Sequence, residues 1–187
     1  MIIGITGNSG SGKSEISKIL AKKINAEIID ADEVVKELSE PGSKYYNKII
    51  ELFGKEILIE NKLNKKQMAE IIYNNSEKRE KLNKLTYKYV VEEIKNRAKK
   101  SKQKHIIIDA PLLFESGLDK ICNTTIAVLA DSNIKLERIC KRDNLDKKTA
   151  KARLDIQAKD EYYIKKANYI IENNGEIDEI NLEKICI

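Results

Sequence analysis

Histidine and cysteine are scarce in this chain. There is one histidine, His105, and the three cysteines, Cys122, Cys140 and Cys186, lie far apart with no C-x-x-C pair among them. That set argues against a Cys/His zinc cage, and an odd number of distant thiols reads as reduced cysteines in a cytoplasmic protein. Only two prolines occur, Pro41 and Pro111, each closing a strand- or helix-like segment. No apolar run approaches the ~18 residues that a spanning helix requires, so no membrane segment is expected. The chain enters an apolar strand and a glycine-rich loop at once, which leaves no room for a signal peptide. Internal repeats, low-complexity tracts and linkers are likewise missing.

What is present is charge. At 187 residues the chain suits one compact domain with a helical excursion, and 35% of it is charged with a formal net charge of +5. A small, dispersed basic excess fits anionic small molecules. The most basic stretch, Lys95 to Lys104, has no aromatic residue interleaved as a stacking platform, so it reads as a solvated helix end and no nucleic acid is expected as partner.

The most informative segment is Gly7-Asn8-Ser9-Gly10-Ser11-Gly12-Lys13-Ser14, which matches the phosphate-binding pattern G-x-x-x-x-G-K-[ST]. Before it, Met1 to Thr6 reads as an apolar strand; after it, Ile16, Ile19, Leu20 and Ile24 recur at helical spacing. Glycines let the backbone curl so that its N–H groups cradle phosphate oxygens at the positive end of the following helix. In that pattern Lys13 reaches the β- and γ-phosphates and the Ser14 hydroxyl ligates Mg²⁺. The segment therefore implies binding of a nucleoside triphosphate.

Further apolar runs, Glu27 to Asp30, His105 to Asp109, Thr125 to Ala130 and Tyr169 to Glu172, read as buried parallel strands separated by helical periodicity. This alternation predicts an α/β fold with a parallel sheet covered on both faces. The gap between the second and third runs is far longer than a crossover needs. It holds helical patterns at Tyr45 to Phe53, Lys65 to Asn74 and Glu77 to about Lys100, a natural place for a substrate-binding insertion.

Several polar residues stand where chemistry could use them. Asp30 and Asp32 close the second strand, facing the crevice where ligands bind in open α/β sheets; one could take a proton from an attacking hydroxyl while the other caps a helix beginning at Glu33. Asp109 ends the strand Ile106-Ile107-Ile108, the pattern of a second Mg²⁺ acid beside a phosphate loop. Arg138 and Arg142 share a helix face and could clamp phosphates, or form part of a solvated charged face with Glu137 and Lys141. Arg153 and Gln157 are equally open, and His105 reads as a structural histidine. A guanine-specifying N-K-x-D is missing: Asn61-Lys62-Leu63-Asn64 and Asn83-Lys84-Leu85-Thr86 both lack the aspartate. That leaves a small-molecule kinase.

Taken together, the residues resemble the dephospho-coenzyme A kinase family. The match runs from Gly4-Ile5-Thr6-Gly7 through Asp30-Ala31-Asp32, Glu40-Pro41-Gly42, Phe53-Gly54 with Ile57-Leu58, and Asp109-Ala110-Pro111-Leu112-Leu113-Phe114-Glu115. It continues to Arg138, Arg142, Gln157 and Ala167-Asn168-Tyr169-Ile170-Ile171-Glu172-Asn173 with Gly175. The resemblance implies a P-loop kinase core, a five-stranded parallel sheet flanked by helices, in a single domain over residues 1–187. It also implies a helical acceptor-binding insertion at about 60–100 and a lid at about 138–160. The implied reaction moves the ATP γ-phosphate to the 3′-hydroxyl of dephospho-CoA, the last step of coenzyme A synthesis.

By the same carry-over Asp32 is the base, and Lys13 and Arg142 act on the phosphates. Ser9, Gly10, Ser11, Gly12, Lys13, Ser14 and Glu15 hold the nucleotide, with Arg138 and Arg142 at its phosphates and Asn173 near its adenine. Ser14 and Asp109 serve Mg²⁺, and the protein is expected as a monomer or weak homo-oligomer. Some positions depart from the family pattern: Glu15 replaces a small residue, where only the backbone N–H is needed on phosphate. Lys65 replaces an arginine, Tyr87-Lys88 a His-Pro pair, and Asn168 an aspartate. Lysine cannot reproduce a bidentate guanidinium fork. The alternative is a related kinase acting on another nucleoside, nucleotide or small hydroxyl compound.

Overall fold

A computed structural model describes residues 1–175, so Cys186 lies outside the described residues. The chain opens with β1 (Ile2–Thr6), α1 (Lys13–Ile24), β2 (Ala26–Asp30), α2 (Ala31–Leu38) and α3 (Lys44–Phe53). A short hairpin of β3 (Leu58–Ile59) and β4 (Lys62–Leu63) precedes α4 (Lys65–Asn74) and the long α5 (Ser76–Lys100). Then come β5 (His105–Asp109), β6 (Thr124–Leu129), α6 (Ser132–Asp143), α7 (Lys147–Asp155), α8 (Asp160–Lys166) and β7 (Tyr169–Glu172).

Five strands form one parallel sheet in the order β2-β5-β1-β6-β7. In register, Ile5 of β1 stands beside Asp109 of β5 on one side and Ile126 of β6 on the other. Strands buried on both faces read as unbroken apolar runs, and Ile106, Ile107 and Ile108 are all buried. On one face Ile3, Ile5, Ile107, Ile126, Val128 and Ile171 pack with Ile16, Leu20 and Ala21 of α1. On the other, Ala127 and Leu129 meet Tyr163 of α8, with Phe114 and Tyr162 around them. The sheet is thus covered on both faces, as the alternating pattern predicts.

The chain divides into two compact units, one of Met1–Ile29 with the described residues from Lys100 onward, the other Asp30–Lys99. The second unit has its own apolar centre, Tyr45, Ile49, Phe53, Ile57 and Met68, with Leu82, Leu85 and Tyr89 against it. It begins about thirty residues before the insertion boundary expected near residue 60, because α2 and α3 belong to it. Periodicity places α3, α4 and α5 to within a residue. The hairpin has no sequence counterpart: its turn residues Glu60 and Asn61 both adopt positive φ (48° and 63°), without the glycine that normally announces such a turn. Among the described residues no helix is long and apolar enough to cross a membrane, and Cys122 and Cys140 are free thiols.

Candidate active site

The glycine-rich loop joins β1 to α1, and its shape follows from close contacts. Gly12, just before the helix, has φ 86°, and a Cβ there would lie 2.1 Å from Asn173 Nδ2. Gly10 has φ 79°, and a Cβ would meet the Lys135 carbonyl oxygen at 2.5 Å. Only glycine fits either place. The loop closes on itself through Ser11 N–H donating to the Asn8 carbonyl at 3.1 Å.

Its carbonyls are held from behind. Asn173 Nδ2 donates to the Ser11 carbonyl at 2.8 Å. Arg138 Nη1 donates to the carbonyls of Asn173 (3.0 Å), Gly10 (3.4 Å) and Ser11 (3.4 Å). In a trans peptide the N–H points opposite to the C=O, so anchoring the Ser11 carbonyl turns the Gly12 N–H the other way. That is how a loop is braced to offer N–H groups to an anion. Asn173, expected near the adenine, is fully buried beneath the loop. Glu15, expected to offer its N–H to phosphate, donates it to the Gly12 carbonyl at 3.1 Å in the first turn of α1. Its side chain is exposed and pairs with Lys18.

Lys13 opens α1, and its ammonium pairs with the Asp109 carboxylate, which is 2% exposed. The contact follows from topology: β1 and β5 are neighbours, so Asp109 ends beside the strand that feeds the loop. Ser14 follows Lys13 on α1. The hydroxyl of Ser14 and the carboxylate of Asp109 are hard oxygen donors of the kind Mg²⁺ takes. Among the described residues no group of three or more His, Cys, Asp or Glu side chains could cage a metal. A sparse donor set fits an ion that keeps its waters and shares the substrate's phosphates.

Asp30 and Asp32 have separate roles in α2. Asp30 is the N-cap, its carboxylate accepting from the N–H groups of Asp32 (2.8 Å) and Glu33 (3.3 Å). The helix therefore begins at Ala31, two residues before Glu33, and Asp32 sits in its first turn without serving as the cap.

The segment from Arg138 to Tyr163 grips the other half of the loop, bringing the expected Arg142 and Gln157 together with Ala158 and Tyr163, which no sequence signal marks. Arg142 Nη2 donates to Ser9 Oγ at 3.2 Å, and Ser9 N–H donates to Gln157 Oε1 at 2.8 Å. The Asn8 amide donates to the Ala158 carbonyl at 2.9 Å and accepts from the Tyr163 hydroxyl at 2.8 Å. Lys135, 5% exposed, pairs with Asp160 at 3.0 Å. Burial pushes the Tyr163 phenol up to about 12, so it stays protonated as the donor to Asn8. Asn8 and Ser9 are the unspecified positions of the phosphate-loop pattern, so nothing in that pattern marks their partners.

A parallel sheet in this order, with a phosphate loop after its central strand and an aspartate beside the loop lysine, defines a P-loop kinase. The sequence model of the family described as dephospho-CoA kinase matches residues 1–179. A dephospho-CoA kinase of Fusobacterium nucleatum is 40% identical over 100% of this chain and 97% of its own length. Among solved structures, a dephospho-CoA kinase from Campylobacter jejuni is 30% identical, with a TM-score of 0.66 over 95% of this chain and 90% of its own. A Thermus thermophilus protein is 25% identical, with a TM-score of 0.82 over 95% of this chain and 91% of its own. The chain belongs to the dephospho-CoA kinase family, whose members are ATP-dependent kinases.

Proposed function

We propose that this chain transfers the γ-phosphate of ATP to the 3′-hydroxyl of dephospho-CoA, giving coenzyme A and ADP. The observation that carries the reading is the Lys13–Asp109 pair at the mouth of a braced phosphate loop, in a chain of this family. Lys13 is the cation for the β- and γ-phosphates, and the loop N–H groups beside Gly12 receive their oxygens. Arg142, held on Ser9, is the lid cation, within a lid of about residues 138–160. Arg138 and Asn173 serve the nucleotide by bracing the loop.

Ser14 and Asp109 would hold Mg²⁺. Bound there, the ion supplies charge neutralisation at the phosphate oxygens. Asp32 orients the ribose hydroxyl and accepts its proton. The hydroxyl oxygen forms a bond to the γ-phosphorus, the bond from that phosphorus to the bridging oxygen breaks, and ADP leaves with the electron pair. The transition state is loose, so the proton moves to Asp32 late in the transfer. The reaction belongs in the cytoplasm, carried out by a monomer or weak homo-oligomer.

The test is ADP release by purified protein with MgATP and dephospho-CoA, with coenzyme A identified as product. AMP, other nucleosides and a reaction without acceptor are the controls. Turnover with dephospho-CoA alone supports the reading. Turnover with another acceptor instead would assign Lys65, Tyr87 and Lys88 to a changed acceptor specificity.

A further inference from the structure

Ser9 is held at both of its polar handles. Its N–H donates to Gln157 Oε1 at 2.8 Å, and its Oγ accepts from Arg142 Nη2 at 3.2 Å. Gln157 Nε2 in turn donates to the Arg153 carbonyl at 3.2 Å, which fixes the amide with its oxygen toward Ser9. Arg153 Nη1 donates to Asp143 Oδ2. Asp143 then takes Arg142 side-on, with Nε on Oδ1 at 2.8 Å and Nη2 on Oδ2 at 2.9 Å. The contacts form a closed circuit through Ser9, Arg142, Asp143, Arg153 and Gln157.

Asp143 is an odd residue for its place. It ends α6, where the negative end of the helix dipole disfavours a carboxylate. The Arg142 hydrogen bonds and the charges of both arginines nevertheless hold its carboxyl down at about 2. The bidentate contact occupies the Nε/Nη2 edge of Arg142, and the same Nη2 also reaches Ser9. Nη1 makes no hydrogen bond among the described residues and lies at the opposite edge.

We propose that Asp143 is a positioning residue for phosphoryl transfer: by fixing Arg142 side-on against Ser9, it aims the remaining edge of the guanidinium at the triphosphate. This rests on the reading of Arg142 as a triphosphate contact. Asp143 itself touches no substrate and acts through Arg142. An arginine already held in one geometry loses less freedom when phosphate arrives. Because the hold is the same before and during transfer, its loss weakens ground state and transition state alike, and this raises KM rather than lowering kcat.

The experiment is steady-state kinetics of Asp143→Asn, Arg142→Ala and the double variant, varying ATP at saturating dephospho-CoA. Asp143→Asn should raise the KM for ATP about tenfold, the scale of one charge-assisted contact, and leave kcat within about twofold. The KM for dephospho-CoA should not move. In the Arg142→Ala background the Asp143 change should add no further effect. A lower kcat at unchanged KM, whether from an interaction made only in the transition state or from a loss of folded enzyme, would overturn the proposal. So would wild-type values in Asp143→Asn beside an impaired Arg142→Ala, or a KM effect of full size in the double variant. Unchanged kinetics in Arg142→Ala would overturn the nucleotide role of Arg142 itself, a separate failure read from the single variant.

Discussion

Asn173 Nδ2 lies 2.8 Å from the Ser11 carbonyl oxygen, and a Cβ added to the next residue, Gly12, would stand 2.1 Å from that same nitrogen. One amide from the end of β7 therefore both shapes the phosphate loop and forbids any side chain at its last glycine. The last strand of the sheet is tied in this way to the loop after the first.

Gly12→Ala should abolish nucleotide binding, because alanine at φ 86° is strained and its methyl would displace the Asn173 amide. ATP should raise the melting temperature of the wild type and leave that of the variant unchanged. Asn173→Ala takes the shorter of two hydrogen bonds from the buried Ser11 carbonyl, with Arg138 still donating at 3.4 Å, and should cost about 0.5–1.5 kcal/mol in urea unfolding. A Gly12→Ala protein with a normal ATP-induced shift would show that the loop can give way.

Lys13→Ala should remove transfer altogether and destabilise the protein at the same time. It leaves the 2%-exposed Asp109 carboxylate without that cation, and breaking a buried pair by one partner typically costs about 3–5 kcal/mol. Asp109→Asn added to Lys13→Ala should recover part of the stability while activity stays lost. The comparison needs urea unfolding and coenzyme A production on both variants. If the second change recovers no stability, the pair does not carry the cost.

The central strands β1, β5 and β6 and the loop were legible because those strands are buried on both faces and announce themselves as unbroken apolar runs, while the loop follows a spaced pattern. The edge strands β2 and β7 are half exposed and carry shorter runs. The long helices of the second unit were legible from their apolar spacing. The β3–β4 hairpin was not, since Glu60 and Asn61 carry positive φ without glycine. Asn173 gave its position but not its orientation: an asparagine beyond a strand looks the same facing a base or facing a carbonyl. Asn8, Tyr163, Lys135 and Asp160 are joined by contacts more than twenty residues apart in sequence, and no local pattern encodes such a network. The capping role of Asp30 against Asp32 was left open by spacing alone; the hydrogen bonds decide it.

That decision separates two neighbouring aspartates by experiment. Asp30→Ala removes the α2 cap and should cost about 0.5–2 kcal/mol of stability with little change in the chemical step. Asp32→Asn should keep the fold and ATP binding while lowering turnover about 10²–10⁴-fold, the usual scale for a lost general base. Thermal melts and single-turnover rates on the two variants read the two effects independently. Near-normal turnover in Asp32→Asn would withdraw its role as base.

Asp143 gives the acid side of the stability profile a definite sign. Its carboxyl is lowered from 3.8 to about 2 in the folded protein, with the hydrogen bonds from Arg142 as the largest cause. A depressed folded-state pKa means that the unfolded chain binds the proton first as pH falls. The stability contributed by Asp143 is therefore fully present above about 3.8 and lost progressively as pH drops toward about 2. Glu37, lowered by its hydrogen bond to Arg97, tilts the profile the same way, so the wild-type curve alone does not isolate Asp143. The difference between wild type and Asp143→Asn does. Melting temperatures recorded from pH 7 to pH 2 should show the wild type more stable near neutrality, with the gap closing below about pH 4 as both forms become uncharged at that position. A gap that stays constant down to pH 2 would mean that the Asp143 carboxylate is not ion-paired in solution, and Arg142 would then lack the hold that places it on Ser9.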